Sequence, residues 1–145
     1  MAKKASLRIQ SDLKKLSEIR RFIELQAREA GLSEENTSRI RLAVDEASAN
    51  IINHGYGESG GKIDVNVEYD AGRMTVSLVD SAPAFNPLLQ DNRINPESPL
   101  EDRAIGGMGI IFIRDSTDTQ EYRYTEAGEN ILSLTIHGGV QKTLE

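Results

Sequence analysis

The chain has 145 residues, 38% hydrophobic and 28% charged. That is the composition of a folded soluble domain, long enough for one core and short for two. A net charge of −6, no cysteine and two histidines exclude a disulfide scaffold, a thiolate metal site and a cysteine nucleophile. They also speak against a histidine metal cluster, nonspecific nucleic-acid binding and an anionic membrane surface.

The first residues, Met1 to Ile9, contain no apolar segment of the signal-peptide kind, and no run of about 18 apolar residues follows. A cytoplasmic chain forming one domain over 1–145 is expected. Ser6 to Gln10 alternates polar and apolar, as a short edge strand does. Asp12 to Ala30 places Leu13, Leu16, Ile19, Ile23 and Ala27 at helical spacing, with Gly31 as the stop. Ser33 is a good N-cap, and Glu34 and Glu35 in the next turn complement the helix dipole. This second helix predicts Ile40, Ala43, Val44, Ala47 and Ile51 on one face, running to about His54 and ending at Gly55.

Lys62 to Tyr69 and Met74 to Val79 alternate with period two around Asp70-Ala71-Gly72, the pattern of a hairpin. Ser81 to Ile105 holds all four prolines and few regular apolar positions; a connection this long is usually functional or mobile. Gly106-Gly107-Met108-Gly109 then opens the apolar run Ile110 to Ile113, which reads as a short helix. Thr119 to Thr125 and Asn130 to Ile136 form a last hairpin around Ala127-Gly128. The order predicts an α+β fold: a two-layer α/β sandwich with a mixed, mostly antiparallel sheet and helices on one face.

Three clusters carry chemistry. In the first, Glu46, Asn50 and His54 are four apart and share a stripe of the second helix. A carboxamide oxygen suits Mg²⁺, which keeps several waters, and a carboxylate one turn away can accept a proton. The same pattern also occurs on ordinary solvated helix faces. Asp45 reads as a solvated neighbour of Glu46, and His54 as a residue bonding locally at the helix end. In the second, Asp80 leaves an apolar strand, where it can accept from an exocyclic amine such as that of adenine or simply start a turn before Pro83. The third is Gly106 to Gly109: glycines before a helix bring backbone N–H groups close to phosphates, or form a flexible joint. It is neither a Walker P-loop nor a dinucleotide fingerprint. Phe85 and Phe112 read as core or lid packing, and Tyr122 and Tyr124 as alternating strand residues.

Taken in order, the three clusters resemble the nucleotide-binding family that contains gyrase and the histidine kinases, the GHKL or Bergerat-type ATP-binding fold. Glu46 to Tyr56 resembles its N box, Asp80 and its neighbours the first glycine box, and Gly106 to Gly109 the second. The Asn-x-x-x-His-Gly-Tyr ending at Tyr56, the Pro-Ala-Phe-Asn-Pro after Asp80 and the Asn130-x-x-x-Leu134 strand are similar to the anti-sigma-factor serine kinases, over about Leu7 to His137. The resemblance implies ATP and Mg²⁺, with Asn50 holding the metal, Glu46 as general base and Asp80 reading adenine. Gly107, Met108 and Gly109 would cradle phosphates, and Arg103 is the nearest basic residue able to reach a γ-phosphate. It further implies a STAS-type anti-sigma-factor antagonist as phosphoacceptor, a sigma factor as a second partner and a homodimer. The family's first glycine box carries Gly two residues after its Asp; this chain has Ala82. That departure leaves two functions open, a serine/threonine kinase and an ATP-holding module that sequesters a protein partner with little catalysis.

Overall fold

The computed structural model describes residues 2–70, 72–89 and 113–137. Its elements are β1 (Lys3–Gln10), α1 (Leu16–Ala30), α2 (Glu34–Asn50), β2 (Lys62–Asp70), β3 (Arg73–Asp80), β4 (Thr119–Tyr124) and β5 (Asn130–Ile136). The strands form one sheet in the order β1-β2-β3-β5-β4, and all four pairings are antiparallel. The edge strand expected at Ser6 starts three residues earlier and pairs along its whole length with β2.

Period-two patterning sorts each strand into two faces. One face carries Ile9, Ile63, Val65, Val67, Met74, Val76, Leu78, Leu132, Leu134 and Ile136, all buried. The two helices cover it, contributing Ile19, Ile23 and Ala27 from α1 and Ile40, Ala43, Val44 and Ala47 from α2. Each fully buried isoleucine contributes roughly 1.5–3 kcal/mol of transfer free energy. The other face is polar, and its register partners bond across the strands. Arg8 Nε meets Asp64 at 2.6 Å, and Ser6–Asn66, Thr75–Thr135 and Ser77–Ser133 are each paired at 2.9 Å.

Local chemistry sets the element ends. Asp12 caps a 3₁₀ turn at Leu13–Lys15 that leads into α1 by accepting from Lys14 N, and Gly31 closes α1 at φ 78°, a left-handed conformation suited to glycine. Ser33 Oγ accepts from Asn36 N at the start of α2. Asp45, expected to be solvated, instead pairs with Arg20 Nε of α1 at 2.9 Å, and Arg41 of α2 reaches back to Glu24 at 2.6 Å. These two pairs tie the helices to each other along their solvent side.

The α2 helix does not stop at Gly55. It widens after Asn50 into a π-helical turn, Ile51–Tyr56, in which Gly57 N–H donates to Ile52 O. Such widened turns are frequent at functional sites. The His54 side chain is exposed and makes no hydrogen bond among the described residues, so the local bond expected for it does not form. Of the long connection, residues 81–89 are described, including a 3₁₀ turn at Pro87–Leu89. Of the short helix expected at 110–113, only Ile113 is described; it is fully buried, and residues 113–116 are helical.

Candidate functional site

The end of β3 and the start of β5 place two buried polar side chains among the apolar residues of the inner face. Asp80 and Asn130 are register partners, each 5% exposed. A buried polar side chain must find hydrogen bonds or pay for desolvation. Asp80 Oδ1 accepts from Ala82 N and from Asn130 Nδ2, both at 2.9 Å. Burial pushes the Asp80 carboxyl above its ordinary value, and the bonds from Asn130 and from the Ala82 backbone oppose that rise.

A cleft of about 420 Å³, part of it open to solvent, lies above this pair. Asp80, Asn130 and Leu132 form its floor, and Ala47, Asn50 and Ile51 its helical side. Ala82, Pro83, Phe85 and Pro87 line the opposite wall, with Gly55 and Tyr122 completing it. Three of the residues singled out from the sequence, Asn50, Asp80 and Ala82, therefore meet in one cavity. Glu46 is half-buried one helical turn before Asn50; it does not line the cleft and accepts no hydrogen bond from the described residues. Arg103, Gly107, Met108 and Gly109 lie outside the described residues.

Ala82, where glycine was expected, is 3% exposed. Its methyl faces Gly55: a Cβ added at Gly55 would stand 3.3 Å from Ala82 Cβ. The missing side chain at 55 is thus what leaves room for the extra methyl at 82.

Tyr56, at the end of the π turn, ties the helix to the exit of β3. Its hydroxyl donates to Lys62 O at 2.7 Å and accepts from Ser81 N at 2.6 Å. Phe85 is 40% exposed at the cleft wall rather than in the core, and its N–H donates to Asn130 Oδ1 at 3.1 Å. Tyr122, read as an ordinary strand residue, lines the cleft and donates its hydroxyl to the same Oδ1 at 2.5 Å. Asn130 had entered the sequence reading only through its spacing to Leu134. The signal for its role was present: a carboxamide on the stripe of Leu132, Leu134 and Ile136.

Among the described residues no three His, Cys, Asp or Glu side chains converge on a metal position. A single carboxamide such as Asn50 suits a Mg²⁺ ion whose other ligands are water and phosphate, so the donor set fits an ion delivered with a nucleotide. No helix is long and apolar enough to cross a membrane among the described residues.

A profile of the histidine kinase-like ATPase domain matches residues 9–136. The chain belongs to that family. It is similar to the serine-protein kinase RsbW of Listeria innocua serovar 6a, at 28% identity over 115 residues that span 77% of this chain and 73% of the relative. The RsbW of Halalkalibacterium halodurans is 26% identical over 112 residues, 75% of this chain and 67% of the relative. Among solved structures, the RsbU and RsbW domains of a Mycobacterium tuberculosis protein superpose with a TM-score of 0.61 at 16% identity. The match covers 92% of this chain and spans about a third (32%) of that longer chain, so the likeness is one of fold. Membership brings the α+β sandwich, the helix carrying Glu46 and Asn50, and the strand ending in Asp80 under one description.

Proposed function

We propose that this histidine kinase-like domain binds Mg-ATP and is a serine/threonine-protein kinase of a sigma-factor partner switch, phosphorylating a STAS-type anti-sigma-factor antagonist in the cytoplasm. The observation that carries the reading is the buried Asp80 carboxylate, held through Oδ1 at the floor of a cleft whose helical side is Asn50. An amine-bearing base satisfies such an acceptor, and the apolar surfaces of Ile51, Ala82 and Leu132 suit a flat ring. The serine-protein kinase relatives support the choice of reaction.

In this reading Asn50 holds Mg²⁺ through its carboxamide oxygen; the ion, when bound, neutralises phosphate charge. Glu46 takes the proton of the partner's hydroxyl as its oxygen bonds to the γ-phosphorus and the bond to the ADP oxygen breaks. Arg103 and the Gly107-Met108-Gly109 backbone belong to the phosphate end. A homodimer and a sigma factor as second partner follow the same family logic.

The second reading is an ATP-holding module that sequesters its partner with little transfer. The Ala82 methyl packed toward Gly55 favours it, because it narrows the wall beside Asp80.

Calorimetric titration with Mg-ATP tests the assignment, with Asn50→Ala alongside. Micromolar-range binding lost in Asn50→Ala is expected; equally tight binding by the variant overturns the site. Glu46→Ala should then bind Mg-ATP but fail to label a STAS-type antagonist with γ-phosphate. A wild type that binds yet never labels selects the second reading.

A further inference from the structure

Asn130 uses both ends of its carboxamide. Nδ2 donates to Asp80 Oδ1 at 2.9 Å, Ala82 O at 3.0 Å and Pro83 O at 3.2 Å. Oδ1 accepts from Tyr122 Oη at 2.5 Å and Phe85 N at 3.1 Å. The backbone N–H of Phe85 can only donate, and the carbonyls of Ala82 and Pro83 can only accept. Together they determine which end of the amide is which, so Nδ2 must face Asp80. With Oδ1 of Asp80 occupied by two N–H donors, its Oδ2 receives none from the described residues.

We propose that Asn130 is the positioning residue of the cleft: it fixes the Asp80 carboxylate so that one oxygen is kept for the exocyclic amine of a bound base. This rests on the nucleotide reading above. Tyr122 supports it by filling Asn130 Oδ1. No other carboxylate and no lysine, arginine or histidine lines the cleft among the described residues; Tyr122 is the other titratable side chain there, and Tyr56 approaches through Ser81 N. Asn130 therefore supplies the side-chain donor that counters the cost of ionising Asp80 in a buried place. Removing it makes Asp80 take up its proton at higher pH, so base recognition fails sooner as pH falls.

The test compares binding of Mg-ATP with that of Mg-purine riboside triphosphate, which lacks the amine, across pH 5 to 8. The wild type is expected to prefer ATP by roughly 10- to 100-fold, and Asp80→Asn to erase the preference. Asn130→Ala should cut the preference by about tenfold and move the acid limb of ATP binding up by about one pH unit, which general loosening would not do. Tyr122→Phe should move both in the same direction by less, and it carries the test if Asn130→Ala does not fold. Wild-type preference and pH limb in both variants, with Asp80→Asn still defective, overturn the role of Asn130 alone. A wild type that binds neither triphosphate overturns the nucleotide reading itself.

Discussion

Gly61 lies directly against the ring of Tyr56. A Cβ at position 61 would fall 2.2 Å from Tyr56 Cε1 and 2.4 Å from Cζ, well inside contact distance. The ring reaches the end of β3 only because position 61 has no side chain. Gly61→Ala should therefore displace the ring and break the bonds to Lys62 O and Ser81 N together, costing about 2–3 kcal/mol in urea unfolding. Tyr56→Phe keeps the ring and should cost about 1–2 kcal/mol. If the alanine variant were as stable as the wild type, the contact would have no energetic role.

The pH dependence of stability follows from Asp80. Burial raises its carboxyl in the folded protein above the unfolded value. Such a group favours folding below the unfolded value, and that contribution is lost as pH rises through the folded value. At neutral pH, without nucleotide, ionised Asp80 therefore costs stability. Asp80→Asn should be no less stable than the wild type at pH 7, and its relative stability should improve from pH 4 upward, while it binds ATP no better than the amine-free analogue. Thermal melts of the nucleotide-free proteins across that range check the sign; a variant that weakens as pH rises contradicts it.

Ser48 is fully buried on α2, and its Oγ has no partner among the described residues. A hydroxyl in that state pays its desolvation cost without return. Ser48→Ala should raise stability by about 1 kcal/mol, aided by the better helix propensity of alanine. A loss of stability on chemical denaturation would mean that the hydroxyl is satisfied in solution.

Gly55 and Ala82 form a reciprocal pair, which a double-mutant cycle can measure. Ala82→Gly should widen the cleft wall and alter ATP affinity by up to about tenfold, the scale of one methyl group in a tight pocket. Gly55→Ala brings two methyls to 3.3 Å and should weaken binding. Combining them should recover most of that loss; simple additivity would mean that the two positions do not compete for the same space.

Much of the fold was legible because its signals are local. Alternation in Lys62–Asp70 and Arg73–Asp80 sets two faces before any partner is known. Ser33 marks a helix start through its hydroxyl and Gly31 a helix end through its left-handed backbone. What escaped depends on neighbours distant in sequence. The π turn after Asn50 accompanies the docking of Tyr56 on Gly61, Lys62 and Ser81. The Arg20–Asp45 pair needs α1 packed on α2. In the site, Asp80 was readable as a carboxylate ending an apolar strand, and Asn50 through its spacing to Glu46. The roles of Tyr122 and Asn130 were not, because they arise only once β5 is inserted between β3 and β4. Phe85, read as core or lid packing, stands at the cleft wall, where its backbone N–H rather than its ring makes the bond to Asn130.

The pairing of Asp80 with Asn130 also makes the cleft a check on how the sheet was assembled. Side chains alternate along a strand, so a one-residue slip of β5 against β3 would turn Asn130 outward and bring Ile131, Ser133 and Thr135 toward the helices. The misregistered sheet would lose the carboxylate's partner as well as its core. Any ligand that uses Asp80 thus binds the correctly paired sheet and not its slipped neighbours. At a hundredfold excess over its dissociation constant it would favour the native pairing by about 2.7 kcal/mol, acting in effect as a proofreader of strand alignment.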